Sequence, residues 1–183
     1  MKKLVIFLVT AAMLVACFVA LIRYVRPAQA LDLNYVEVSA GDKIAAMLAS
    51  RKLELVLTEA DIDNLLKKQL AASAANGQLP PQIRIEGAQA KLHGDVLEAD
   101  VNLRWKDRLP IGAKLFFTLS WNRPNIELIH TRTQIKDVKL PPAWLQLATV
   151  QIPIEAQLPK LIGVKEVQFE EDAVRIHLKL GQS

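Results

Sequence analysis

The chain has 183 residues, 51% of them hydrophobic, and a formal net charge of +4. That length allows one domain and a tail. Residues 1–30 hold Lys2, Lys3, Arg23 and Arg26 and no acid, so residues 31–183 carry 19 cations against 19 anions. A neutral domain without an arginine stripe argues against a nucleic-acid partner. Cys17 is the one cysteine, and His93, His130 and His177 are far apart, so neither a disulfide framework nor a Cys/His metal spacing is available.

The first element is an apolar run from Leu4 to Ile22, 19 residues without a charge. As a helix it is long enough for a hydrocarbon core of roughly 30 Å and long for a secretory h-region. Three fates are encoded nearby. Leu14-Val15-Ala16-Cys17 has the look of a lipobox, but Phe18 to Ile22 continue the apolar run past the cysteine. Ala28-Gln29-Ala30 has the A-x-A form of a signal-peptidase site, but it follows Arg23, Arg26 and Pro27 rather than the run itself. The third fate, an uncleaved signal-anchor flanked by Lys2, Lys3, Arg23 and Arg26, fits best. The expectation is residues 1–30 as anchor and stalk, and residues 31–183 as a domain on the extracytoplasmic side of a single-pass membrane protein.

Leu31 to Val38 reads as an extended segment or first strand, and Ser39 to Ser50 as a short helix. Leu53 to Leu57 is a short strand that leads into "TEADIDNLLKKQLAASA". There Thr58 is an N-cap and Asp61 completes a capping-box variant. Glu59, Asp61 and Asp63 complement the helix dipole. Ile62, Leu65, Leu66 and Leu70 form one apolar stripe, and Pro80-Pro81 bars continuation. From there the period is two. "QIRIEG" sets Ile83 and Ile85 on one side. "VLEADVNLRW" alternates Leu97, Ala99, Val101, Leu103 and Trp105 with polar residues. "AKLFFTLSW" does the same through Leu115, Phe117, Leu119 and Trp121, leaving Phe116 out of phase. Ile126 to Leu140 reads as a long strand whose phase flips near Leu128-Ile129, which suggests a bulge there. "AWLQLATV" reads as a helical turn, Gln151–Leu158 and Val164–Glu170 as weaker strands, and Val174 to Leu180 as the last strand. The fold class is α+β: a transmembrane helix, then a long helix packed on a curved antiparallel meander.

No catalytic constellation emerges. There is no G-x-S-x-G, P-loop, H-E-x-x-H or S-x-x-K. Asp61 and Asp63 read as helix-start residues, Glu170-Glu171-Asp172 as a solvated turn rather than a cation site, and Trp105, Trp121 and Trp144 as packing. The expectation is a non-enzymatic protein with no cofactor and no metal. The unused feature is apolar surface. A sheet curved around the long helix would leave a groove for an acyl chain, lined by Ile62, Leu65, Leu66, Leu97, Val101, Leu103, Leu115, Phe117 and Leu119.

"RKLELVLTEADIDNLLKKQL", the proline-flanked "VKLPPAWLQL" and "QIPIEAQLPKLIGVKEVQFEEDAVRIHLKL" resemble the YpmS family. So does the plan of one basic-flanked membrane helix, a helix and a meander. That resemblance implies a membrane-anchored protein of the Gram-positive envelope without an assigned activity. More distantly, the strand, helix and curved meander are similar to bacterial members of the tubular lipid-binding superfamily, which implies a lipid held between helix and bent sheet. Two roles follow as expectations: binding or transfer of a lipid or other apolar envelope molecule, or a ligand-free scaffold that recruits an envelope-assembly partner.

Overall fold

The computed structural model describes the chain except residues 1, 40, 44, 46, 48–51, 78, 142–146, 160 and 182–183. Helix α1, Lys2–Val25, is long and apolar enough to cross a membrane, and its most apolar stretch has no residue buried in the protein. Its 24 residues give a rod of about 36 Å at 1.5 Å per residue.

Residues 27–39 form no strand, although Leu31 to Val38 has the alternation of one. They cross a face of the main sheet and meet its edge through one backbone hydrogen bond, from Ala88 N to Asp32 O. The short helix expected from Ser39 to Ser50 is seen at Gly41, Asp42, Lys43, Ala45 and Met47; the rest of it lies outside the described residues. Met47 is buried and belongs to the core.

Strand β1, Glu54–Thr58, ends at the N-cap of helix α2, Glu59–Ala75. The capping box forms as expected: Asp61 N donates to Thr58 Oγ1 at 3.3 Å, and Thr58 N donates to Asp61 Oδ2 at 2.8 Å. Ile62, Leu66 and Leu70 are the buried stripe of α2, while Leu65 is only partly covered.

The main sheet is a meander of β2 (Ile83–His93), β3 (Val96–Trp105), β4 (Leu109–Asn122) and β5 (Asn125–Ile135). Two short strands, β6 (Val138–Lys139) and β7 (Val150–Pro153), both pair with β5. Helix α3, Ile154–Gln157, is one turn. Strands β8 (Ile162–Phe169) and β9 (Ala173–Leu180) join β1 in a second sheet, ordered β1-β9-β8. All pairs are antiparallel, and the architecture is α+β as the sequence implies.

One core runs through α2 and both sheets. Ile62, Leu92, Leu97, Leu115, Phe117, Val164 and Ile176 belong to it. Arg123, in the β4–β5 turn, donates to Val164 O and faces Glu155 at 3.4 Å, which ties the main sheet to β8 and α3.

Helix α2 packs beside edge strand β2 and closes that edge with side chains. Ala90 N donates to Asp63 Oδ1 at 2.7 Å and Leu92 N to Glu59 Oε2 at 3.0 Å. Ala88 N donates to Asp32 O at 3.1 Å. An open row of N–H groups would otherwise be a template for pairing with another chain.

Several expectations are corrected. The phase flip of β5 comes from an extra residue at Thr131, not at Leu128-Ile129: Phe116 pairs with Arg132 and Phe117 with His130, and Thr131 Oγ1 donates to Phe116 O at 3.0 Å. The strand expected at Gln151–Leu158 ends at Pro153 and gives way to α3. In "AWLQLATV", residues 142–146 lie outside the described residues, and Leu147 to Thr149 are not helical. Trp105 and Leu180 share the apolar phase of their strands yet are 44% and 75% exposed, because both sit at strand ends beyond the core.

Candidate functional site

Two places qualify: the apolar interior, and the junction of α1 with the sheet. In the interior, Ile62, Leu66, Leu97, Val101, Leu115, Phe117 and Leu119 are buried, and Leu65 and Leu103 partly so. Register explains why the strand residues meet. Leu97 pairs with Phe117, Ala99 with Leu115 and Leu103 with Ile111, so the inner faces of β3 and β4 form one apolar surface. Ala88, Ala90 and Leu92 of β2 extend it, and Ile126 and Leu128 of β5 close its other side. Every one of the seven buried residues packs into the continuous core. A separate dent of about 260 Å³ lies at the end of α2, lined by residues that include Leu79, Pro81 and the Arg84–Asp107 ion pair.

The junction was not legible as a site. On the face of the sheet turned away from the core, Gly87, Asn102 and Gly112 are direct cross-strand partners in one row. Residues 27–36 lie across that row as a strap. Pro27 covers Gly112: a Cβ there would stand 2.8 Å from Pro27 Cα. Asn102 Nδ2 donates to Gln29 O at 2.9 Å. Leu31 covers Gly87, where a Cβ would stand 2.1 Å from the Leu31 carbonyl. Beyond β2 the strap continues to α2, where Val36 N donates to Asn64 Oδ1 at 2.8 Å and Lys68 pairs with Glu37 at 2.9 Å. The available signal was glycine inside two strand patterns, which marks close backbone approach. The segment read as a stalk is therefore packed on the domain. Lys2, Lys3, Arg23 and Arg26 are all exposed.

Several charged groups elsewhere form ion pairs. Arg175 donates to both oxygens of Glu170, at 2.8 and 3.0 Å, and to Glu54. The Glu170 carboxyl is held below its ordinary pKa chiefly by the hydrogen bond from Arg175. His177 Nδ1 stands 3.9 Å from Glu54 Oε2, and Arg175 also holds that carboxylate. His130 Nε2 lies 2.9 Å from Thr133 Oγ1 and its ring packs 5.5 Å from that of Phe117; burial pushes its pKa down. Glu171 Oε1 lies 3.3 Å from His93 Nδ1. Among the described residues, no group of three or more His, Cys, Asp or Glu side chains could hold a metal ion.

No family model, curated protein or solved structure matches the chain.

Proposed function

We propose that the chain is a non-enzymatic, single-pass membrane protein whose domain sits on the extracytoplasmic face of the cell membrane and engages a lipid or other apolar envelope molecule. The observation that carries the reading is the exposed α1 joined without slack to the sheet through the strap. A domain held so close to its anchor works on what the bilayer surface offers. The apolar inner faces of β2 to β5, flanked by α2, are the surface that would receive an acyl chain once α2 or the second sheet gives way. The resemblance to the YpmS family and to the tubular lipid-binding superfamily points the same way.

Mass spectrometry of lipids retained by the full chain, after detergent exchange and removal of bulk lipid, tests this. A lipid in near-stoichiometric amount, reduced when Leu97 or Phe117 is replaced by Trp, is the expected result. The second role, a scaffold for an envelope-assembly protein, draws support from the tight burial of Leu97, Val101 and Leu115. Crosslinking in intact membranes that captures one stoichiometric protein partner, with no retained lipid, would replace the first reading by the second.

A further inference from the structure

The end of the main sheet beside α1 has an unusual surface. Two turns close there. One joins β3 to β4 at Lys106–Arg108, and the other joins β5 to β6 at Lys136-Asp137. The exit of α1 is packed against the same end: Tyr24 OH donates to Asp137 Oδ2 at 3.3 Å, and Pro27 covers Gly112.

Charge collects at this end although the domain as a whole is neutral. Lys106, Arg108, Lys136 and Lys139 are all exposed. The two acids among them are engaged, Asp107 by Arg84 at 2.7 Å and Asp137 by Tyr24. Arg23 and Arg26, both exposed, flank Tyr24, the α1 residue that bonds Asp137. At the opposite end, the β2–β3 and β4–β5 turns hold Asp95 and Arg123, which balance.

Apolar groups stand among these cations. Trp105 is 44% exposed and Val138 54%. Lys106 Nζ lies 4.6 Å from the centre of the Trp105 ring, so ring and ammonium are presented together. Trp beside Lys is the pairing that suits a membrane–water interface.

Backbone conformation adds an independent observation. Lys106, Asp107 and Lys136 have φ of 49°, 57° and 52°, and they are the non-glycine residues in the left-handed region among those described. The turn at the opposite end uses Gly94 for the same conformation, with φ of 63°. Glycine would relieve the strain at 106 and 136. Lys106 and Lys136 carry that strain instead, outliers of the kind that gather at functional sites.

We infer that this end is a bilayer-docking face. Trp105 and Val138 enter the interfacial region of the leaflet from which α1 emerges, and Lys106, Arg108, Lys136 and Lys139 bind the phosphates of anionic lipid headgroups. The domain thereby stands in one orientation on the membrane, with the β2–β3 and β4–β5 turns pointing away from it. The inference rests on α1 crossing a bilayer, and the experiment reads that separately.

The full chain is placed in nanodiscs of phosphatidylcholine with or without about 30% phosphatidylglycerol, an anionic content that gives a strong surface potential. Three labels are compared: on native Cys17, on Val138→Cys in a Cys17→Ser background, and on Asp95→Cys in the same background. Quenching of the Cys17 label by a chain-borne quencher reports insertion of α1. The expected result is a label at 138 at least about threefold less accessible than that at 95 to an aqueous quencher, in anionic discs only. The triple change Lys106→Glu, Lys136→Glu and Lys139→Glu, or about 0.5 M salt, should abolish the difference, since screening over a few Å removes headgroup attraction. Circular dichroism checks that the variant is folded. An inserted Cys17 with equal accessibility at 138 and 95 overturns docking alone. Protection that survives charge reversal or neutral discs overturns the role given to anionic lipid. A Cys17 label out of reach of the chain-borne quencher overturns the membrane reading on which both rest.

Discussion

A methyl group on Gly87 would stand 2.1 Å from the Leu31 carbonyl, closer than any real packing contact allows. Gly87→Ala must therefore push the strap off β2 or bend the strand, and overpacking of this kind costs about 1–3 kcal/mol. Gly41→Ala is the matched control, because among the described residues the new Cβ meets only Ser39 Oγ, at 3.6 Å. Chemical denaturation should show the first variant destabilised and the second unchanged or slightly more stable, as alanine favours a helix. Equal midpoints would mean that the strap does not bear on Gly87 in solution. His130 carries a second expectation. Burial lowers its pKa, against a hydrogen bond with the Arg132 backbone that works to raise it. The unfolded chain then takes up the proton first as pH falls below about 6.5, so the contribution of His130 to stability is present above that value and is lost on acidification. Stability measured from about pH 7.5 down to 5 should fall less steeply in His130→Gln than in the natural chain; parallel slopes would remove His130 from the account.

At the scale of elements, α2 has two tasks that its sequence combines. Ile62, Leu66 and Leu70 reach the core from one side, while Glu59 and Asp63 accept the outward N–H groups of β2. The joint change Glu59→Ala and Asp63→Ala leaves those donors without partners. Each such loss costs about 1–3 kcal/mol when the group stays shielded. The variant should unfold at lower denaturant and show dimers by light scattering as the freed edge pairs with a second copy. A monomer of unchanged stability would show that water replaces the carboxylates freely. The capping box and the apolar stripe of α2 were legible in the sequence because both are local, fixed by spacings of three and four residues. The strands β3, β4 and β9 were legible because period two is local as well. The edge caps were not, since Glu59 and Asp63 also satisfy the ordinary preference for acids in a first helical turn. Nor was the position of the β5 bulge, because His130 is as compatible with an inward as with an outward place until its register against Phe117 is known. The apolar lining residues were identifiable as inward-facing from alternation. Whether that face is filled by the protein itself or opens for a ligand depends on what packs opposite, which no single strand encodes.

For the whole molecule, the strap decides where the apolar helix ends and the domain begins. Division at residue 30 is natural from composition, since the segment before it holds cations and no acid, the A-x-A sequence closes it, and the first acid is Asp32. In the folded protein that boundary falls in the middle of a packed segment: Pro27 and Gln29 lie on one side of it and Leu31 and Asp32 on the other, all four against the sheet. A signal-peptidase cut after Ala30 would separate Asn102 from its acceptor, the Gln29 carbonyl. Asn102 is only 8% exposed with the strap in place, so the cut both breaks this hydrogen bond and uncovers the amide. A soluble piece starting at residue 31 should therefore be less stable than one starting at residue 26, by about 0.5–1.5 kcal/mol for the lost hydrogen bond. The change Asn102→Ala separates this cause from general fraying of a new terminus. It should destabilise the longer piece, which loses a hydrogen bond, and affect the shorter one less, which has none to lose. The difference between those two effects is the coupling between strap and sheet. Urea denaturation of the four proteins measures it. A coupling of zero would mean that the strap rests on the sheet without holding it, and that the domain is as complete at Leu31 as its composition suggests.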